Sequence, residues 1–389
     1  MITGLDPTGG GPPVALEGLV RAQLRLGHRV GVVSTFRAGD DLSRAERMTE
    51  AGASVTLIGP TRGRLQRVPG MNGQLETLIG AEDPPAVVHV HNLWETLQHA
   101  TARAARRAGV SYVIRPCGML DPWSLRQSRL VKAAMLAFRT RRDLNGAAAL
   151  HFTTDTERDL VSALGLKPTA IVEPNGVDLP PAGPASQGRE LRSHLGLEPS
   201  GGPLVVFLSR LHPKKGVDVL LDAFERVVAG WPPDRDPPTL LIAGPDEAGT
   251  LAKLREQLRG LQSRDRVRFL GLVLGEDKQR LLAGADLFVL PSHQENFGIA
   301  VVEALAAGTP VVISDQVNVY EEIVSAGVGE ATPVRADAVA AAVSAWLLDD
   351  PRRLAAASRA AGWAASRFDW NRIAARWAGH YTRLNGGAA

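Results

Sequence analysis

Short apolar, β-branched runs alternate with helix-period segments from one end of this chain to the other, and that alternation constrains the fold most. The strand candidates of the first half are Arg29–Thr35, Ser54–Gly59, Ala86–Asn92, Tyr112–Pro116, Ala148–Thr153 and Ala170–Pro174. Those of the second half are Leu204–Ser209, Thr239–Ala243, Val267–Leu270, Leu287–Pro291 and Pro310–Ser314. Runs such as LVVFLS, LFVL and PVVI are apolar without interruption, as strands of a parallel sheet covered on both faces must be. Strands alternating with helices throughout predict an α/β fold with right-handed crossovers.

A chain of 389 residues is long for one core, and the length favours two domains. Between Pro174 and Pro203 the composition turns to Pro, Gly and Ser (PNGVDLPPAGPASQG, then EPSGGP), a linker signature. The expected division is a first doubly wound domain over 1–180, a linker over 181–200, a second such domain over 201–368, and a terminal helix over 369–389 that crosses back to the first. In such sheets ligands bind outside the carboxyl ends of the strands. A doubly wound domain begins with a strand, yet a glycine-rich turn arrives by Gly9 and Met1–Leu5 supply only a fragment of one. The expectation is a first strand cut short, with a native start upstream of Met1.

Composition narrows the function. A net charge of +3 is small for this length and argues against a dedicated nucleic-acid binder. Cys117 is the only cysteine, so no intrachain disulfide forms and a reducing cytosol is the expected setting. The opening MITGLDPTGGGPP has neither a charged n-region nor an apolar h-region, unlike a signal peptide. No run of eighteen apolar residues occurs.

The strongest chemical signal is PSHQENFGIAVVEALAAGTPVVISD, Pro291 to Asp315. It reads as a strand end, a loop with Glu295, a helix from about 299 to 307, a stop at Gly308 and another strand. Glu303 is the only polar residue of that helix. A helix apolar all round is buried, and a buried carboxylate needs donors, which ribose hydroxyls would supply. Glu295, eight residues earlier, stands just before the helix. The backbone N–H groups of Phe297 and Gly298 open it and suit a phosphate or sugar oxygen. A solvated Glu303 and an ordinary loop glutamate at 295 are the plainer alternative.

The second signal is FLSRLHPKKGVDVLLDAF, Phe207 to Phe224. Arg210 follows a strand end, and Lys215 with Gly216 stands at the entry to the next helix. Only six of the 44 basic residues are lysine, so two adjacent ones at a strand-to-helix turn are conspicuous. Arg210 can fork two phosphate oxygens, and a lysine supplies a compact charge. A solvated basic loop is the competing reading.

Together these residues resemble a known family. The Glu295–Glu303 pair at E-x7-E spacing, with Arg210 and Lys215–Gly216, is similar to the retaining GT-B glycosyltransferases of family 4, and the likeness runs through nearly the whole chain. GGGPP at 9–13 resembles the family's glycine-rich loop. CGMLDPWSLRQSRLVKAA at 117–134 is similar to stretches of bacterial members that build surface polysaccharides, and PNGVD at 174–178 to the entry into the linker. The resemblance implies a GT-B fold, two Rossmann-like domains facing across a cleft. It implies a retaining, metal-independent transfer of a hexose-type sugar from a nucleotide diphosphate donor to a saccharide or lipid-linked saccharide acceptor. Arg210, Lys215 and Glu295 would be catalytic. Gly10, Gly11, Asn296, Phe297, Gly298 and Glu303 would bind the donor, a co-substrate, with no cofactor. Many members place a histidine or arginine after the strand corresponding to Tyr112–Pro116. Here Cys117 stands there, and His91 at the preceding strand end is the substitute on the acceptor or sugar side. Two other readings stay open: a GT-B sugar-nucleotide epimerase, and a catalytically idle nucleotide-sugar-binding protein.

Weaker signals bound the rest. His89, His91 and Cys117 have no further ligand cluster around them, so no metal is expected. Asp234 and Asp236 lie in a proline-bound loop and read as solvated. The fingerprint G-x-G-x-x-G and a Walker A sequence are both missing. A basic helix near 125–144, with Arg126, Arg129, Lys132, Arg139, Arg141 and Arg142 among Leu130, Met135, Leu136 and Phe138, suits either peripheral contact with the inner face of a membrane or a packed helix with a charged outer face. The location expected is cytoplasmic, free or at that surface.

Overall fold

The computed structural model describes residues 1–6, 9–63, 66–179, 187–198, 201–247 and 249–386. The chain forms two compact units, Met1–Gly176 with Trp370–Ala389, and Val177–Asp369. Among the described residues the first unit has seven strands: β1 Ile2–Thr3, β2 Gly31–Thr35, β3 Ser54–Ile58, β4 Val87–His91, β5 Ser111–Arg115, β6 Ala149–Phe152 and β7 Thr169–Val172. The described residues of the second form six: β8 Leu204–Leu208, β9 Thr239–Ala243, β10 Val267–Gly271, β11 Leu287–Leu290, β12 Val311–Ser314 and β13 Gly329–Thr332.

In the second unit the strands pair in parallel in the order β10-β9-β8-β11-β12-β13. Renumbered from β8 this is 3-2-1-4-5-6, the doubly wound order that reverses between its first and fourth strands. The strand residues Val205, Phe207, Leu241, Phe288 and Val312 are buried, because helices cover the sheet on both faces as the uninterrupted apolar runs require. In the first unit β3-β2-β1 and β4-β5-β6-β7 form two parallel ribbons. The His91 N–H donates to the Met1 carbonyl at 2.9 Å, so β1 lies beside β4 and the order becomes 3-2-1-4-5-6-7. The short opening strand thus fills an interior position, between β2 and β4.

Two features depart from the sequence reading. The stretch read as linker carries a helix over Gln187–His194; residues 180–186 and 199–200 of it lie outside the described residues. The basic segment near 125–144 is not one helix: it breaks into Pro122–Arg126, Arg129–Met135, a wide turn over Leu136–Thr140 and Arg141–Asn145. Ser128, left-handed at φ 55°, makes the first break, since an L-residue in that conformation cannot continue a right-handed helix.

The last helix, Trp370–Leu384, packs on the Gly11–Arg25 helix of the first unit. Its anchor is the Trp370 ring, which lies where a Cβ on Gly18 or on Gly176 would approach within 2.3 Å. Both glycines are there to admit the indole.

Candidate active site

At the carboxyl ends of β8 and β11 two sequence motifs meet. After β8, Ser209 and Arg210 leave the sheet, and a single turn Pro213–Lys215 follows. The His212 ring Nδ1 caps that turn by accepting the Lys214 N–H at 3.0 Å. Gly216 is left-handed at φ 66°, and a Cβ there would stand 2.1 Å from the Pro291 carbonyl oxygen. Glycine is therefore required on two counts, conformation and space. The close approach continues where the His293 N–H donates to the Lys214 carbonyl at 2.8 Å.

This contact carries the Lys215 ammonium onto the Glu295 carboxylate, with which it makes a short hydrogen-bonded ion pair. Both side chains are largely buried. Burial acts to raise the Glu295 pKa, but the charge and hydrogen bond of Lys215, with Lys214 and Arg210 behind, outweigh it and hold the acid below its usual range. The loop itself is fixed by backbone: the Glu295 N–H donates to Gln316 at 3.0 Å, and its carbonyl accepts from Asn318 at 3.1 Å. Asn296 and Phe297 follow. The Phe297 ring is buried edge-on against Phe368, centroids 5.7 Å apart. Gly298, left-handed at φ 78°, starts the Ile299–Ala306 helix.

Glu303 lies on that helix with its side chain mostly covered, and Lys278 Nζ donates to it at 2.7 Å. Arg210 pairs with Glu247 at 2.8 Å, both partly exposed. Lys278 and Glu247 were not singled out from the sequence. Each is one charge among ordinary charges on its own element, and only folding sets it beside a site residue.

In the first unit, Gly10 has φ 80° and ψ −150° and precedes the Gly11–Arg25 helix, a conformation essentially reserved to glycine. Pro12 and Pro13 occupy the first turn of that helix. They delete two of its four free N–H groups, so donors at this end come from Gly11 and Val14.

His91, at the end of β4, is buried and stacked on His89 with centroids 4.6 Å apart. His89 also bonds Tyr381 at 2.8 Å and His151 at 3.2 Å. Burial first, and the neighbouring histidines and Arg115 next, depress His91 well below the ordinary range and keep it neutral. Cys117 is left-handed at φ 54°. Its thiol is pushed up by burial, with Arg115 acting against this and Glu157 adding to it. Glu157 pins the loop beyond it by accepting the Gly118 N–H at 2.8 Å. Arg115, the last residue of β5, was not singled out; it is buried and donates to Asn175 at 2.6 Å. Among the described residues no group of three His, Cys, Asp or Glu is placed to hold a metal ion.

Two family models match in tandem: the "Glycosyl transferase 4-like domain" over residues 10–176 and "Glycosyl transferases group 1" over 192–363. Between them they account for most of both units. The chain belongs to glycosyltransferase family 4, with the GT-B fold. Among curated members it is similar to the D-inositol 3-phosphate glycosyltransferase of Kineococcus radiotolerans, 32% identical over 59% of this chain and 56% of that one. It is also similar to the phosphatidyl-myo-inositol mannosyltransferase of Mycolicibacterium smegmatis, 35% identical over 56% of this chain and 53% of that one. The chain thus spans about half the length of the curated relatives it matches. Among solved structures, HepE of Anabaena, in complex with UDP and glucose, superposes with a TM-score of 0.78 at 22% identity over 98% of both chains. WaaG, a glycosyltransferase of lipopolysaccharide biosynthesis, superposes at 0.69 with 18% identity over 99% of both. These two likenesses concern the fold.

Proposed function

We propose that this family 4 member transfers a hexose-type sugar from a nucleoside diphosphate donor to a hydroxyl of a saccharide or lipid-linked saccharide acceptor, with retention and without a metal. The observation that carries this reading is the Lys215–Glu295 contact, a buried cation and anion from loops 80 residues apart at the carboxyl ends of adjacent strands. Such a pair is costly to build and is more readily understood as ligand machinery than as a stabilising device.

In this reading Lys215 and Arg210 turn to the donor pyrophosphate and stabilise the charge that develops on the leaving phosphate. The N–H groups of Phe297 and Gly298, with Asn296, assist them. Glu295 then accepts from hydroxyls of the donor sugar, and Glu303 from the ribose, each exchanging a lysine for neutral donors. Gly10 and Gly11 are assigned to donor binding as well, since glycines leave their backbone open to close approach by a ligand. The bond from the anomeric carbon to the phosphate oxygen breaks and that to the acceptor oxygen forms. Nucleoside diphosphate, glycoside and one proton are the products. Cations already supply the charge a metal would, so activity is expected to persist in a chelator.

The test is thermal stability against UDP, GDP, ADP and their sugar conjugates, with UDP-glucose first because of HepE. A ligand at one hundred times its dissociation constant stabilises by about 2.7 kcal/mol. A shift for one nucleotide family that vanishes in Lys215→Ala supports the reading; a folded protein that none of them shifts overturns it.

Peripheral membrane contact through the basic segment is favoured by a separate observation. Leu130 and Phe138 are 85% and 88% exposed, and Val131 61%, beside exposed Arg126, Arg129 and Arg142. Exposed apolar side chains among arginines suit an anionic leaflet. Co-sedimentation with anionic liposomes should fall when Leu130 and Phe138 become serine; unchanged binding would end the idea. Among the described residues no helix is long and apolar enough to cross a membrane.

A further inference from the structure

The loop that carries Glu295 is seated on an aromatic contact that leads to the boundary of the second unit. Phe297 follows Glu295 by two residues, yet its ring turns inward, 2% exposed. It meets the Phe368 ring edge-on, with centroids 5.7 Å apart. Trp363 meets the same Phe368 ring edge-on at 5.3 Å. Edge-on pairs fix the mutual orientation of the rings as well as burying their surface.

Phe368 ends the Asp350–Phe368 helix, whose buried residues are Ala356, Ala360, Ala364 and Phe368. At a spacing of four these lie along one face. The helix packs against Ile299–Ala306, the helix that carries Glu303. Alanine methyl groups let two helices approach closely, and the large ring of Phe368 closes the row beside the loop.

Phe368 also stands where the chain leaves the unit. The two units divide at Gly176/Val177 and at Asp369/Trp370. These crossings are neighbours: the Val177 N–H donates to the Phe368 carbonyl at 2.9 Å, and Val177 bridges Asp369 in parallel. Asp369 is extended, at φ −64° and ψ 124°, so one helix stops at Phe368 and the next begins at Trp370. Hinges are built from a few element-terminal residues of this sort. Phe368 therefore touches the Glu295 loop by its ring and the crossing by its carbonyl.

We propose that Phe368 is a positioning residue that couples the two. A nucleotide that orders residues 295–298 fixes Phe297 against Phe368 and thereby holds the Val177 hydrogen bond closed. The coupling is reciprocal, so whatever steadies the crossing also prepares the loop for the donor. The proposal rests on the transferase reading above, and adds to it a residue outside Arg210, Lys215 and the E-x7-E motif.

The experiment is amide hydrogen exchange on the full chain, read by mass spectrometry on overlapping peptides, with UDP, GDP and ADP as probes. A nucleotide that binds should slow exchange over 295–298 and, at Val177, by about fivefold or more, the lower range of couplings between sites. In Phe368→Leu the nucleotide should still protect the loop, while the response at Val177 falls below about twofold. Phe224→Leu is the control. It trims an equally buried ring of the same core, on the Val217–Ala229 helix, and both responses should survive it. The proposal is overturned if a nucleotide protects the loop of the wild type and leaves Val177 unchanged, a result that needs no variant to fold. It is also overturned if Phe368→Leu keeps the full response at Val177, if its loop loses protection as well, or if Phe224→Leu abolishes the response. Nucleotides that protect neither the loop nor Val177 in the wild type reject the transferase reading, and the coupling with it.

Discussion

The two units solve the same problem, polar groups at the carboxyl ends of parallel strands, in opposite ways. In the second unit the charges are paired: Lys215 with Glu295, Lys278 with Glu303, Arg210 with Glu247. In the first unit, Asn92, Trp94 and Glu95 keep buried atoms without partners, and His91 is held neutral. The difference follows from the charge each end carries. A diphosphate needs fixed cations, and cations need anions to stay at a covered site. Neutral polar groups tolerate standing alone at lower cost than charges do.

Substitutions can break that comparison, and the largest effect is expected where a paired charge is orphaned. Lys215→Ala leaves Glu295 buried without its cation. A loss of about 3–5 kcal/mol of stability is expected from breaking such a pair. Turnover should fall by roughly 10²–10³, the cost of one lost charge-stabilising donor. Melting curves and kcat/KM check both.

The unpartnered side should respond with the opposite sign. The Glu95 carboxyl is raised in the fold from 4.5 to about 7, so the native state holds a proton that the unfolded state has lost. Stability therefore declines as pH rises from 4.5 to 7 and stays lowered above. Glu95→Gln removes this penalty and should stabilise the protein above pH 7 by up to roughly 3 kcal/mol. A destabilised variant would mean that Glu95 serves the fold.

Buried neutral histidines add a smaller, graded term. His89, His91 and His151 are depressed well below 6.5, by burial before any other cause. On acidification the unfolded chain takes up protons near 6.5 while the native protein does not. Each such histidine therefore weakens the fold by at most about 1.4 kcal/mol per pH unit below 6.5, until its own folded pKa is reached. Urea melts between pH 7 and 5.5 would show this, and the slope should lessen in His151→Asn.

The smallest effect belongs to the exposed pair. Glu247→Ala should cost under about 1 kcal/mol, because both it and Arg210 face water. It should also leave Arg210 freer for the diphosphate, read as unchanged or tighter nucleotide binding. A large loss of binding would instead make Glu247 part of the site.

Most strands were legible because their signal is local. LVVFL, LFVL and VVIS are apolar and β-branched, and each forms a buried strand. The sequence reading missed β13, whose GEAT has no apolar run, and it placed β1, two residues long, only as a fragment within Met1–Leu5. Pairing with neighbours defines both. Residue types at the second unit's site were equally legible, since a lysine pair at a turn and a lone glutamate in an apolar helix stand out by contrast. Arg115, Asn92 and Glu95 were passed over because nothing in HNLWE or SYVIR distinguishes a partnered polar group from an unpartnered one.

By itself the sequence determined the α/β class, the alternation of elements and the glycine positions that turns demand, because periodicity and turn chemistry act over a few residues. Only the tertiary structure decided which charges meet. Lys215 finds Glu295 because Gly216 admits the Pro291 carbonyl. Trp370 returns to the first unit because Gly18 and Gly176 leave it room. One oxygen of Glu95, Oε2, is left without a partner where β4 hands over to its helix. Such outcomes depend on the strand order and on distances of a few ångströms between elements far apart in the chain, and no local pattern encodes them.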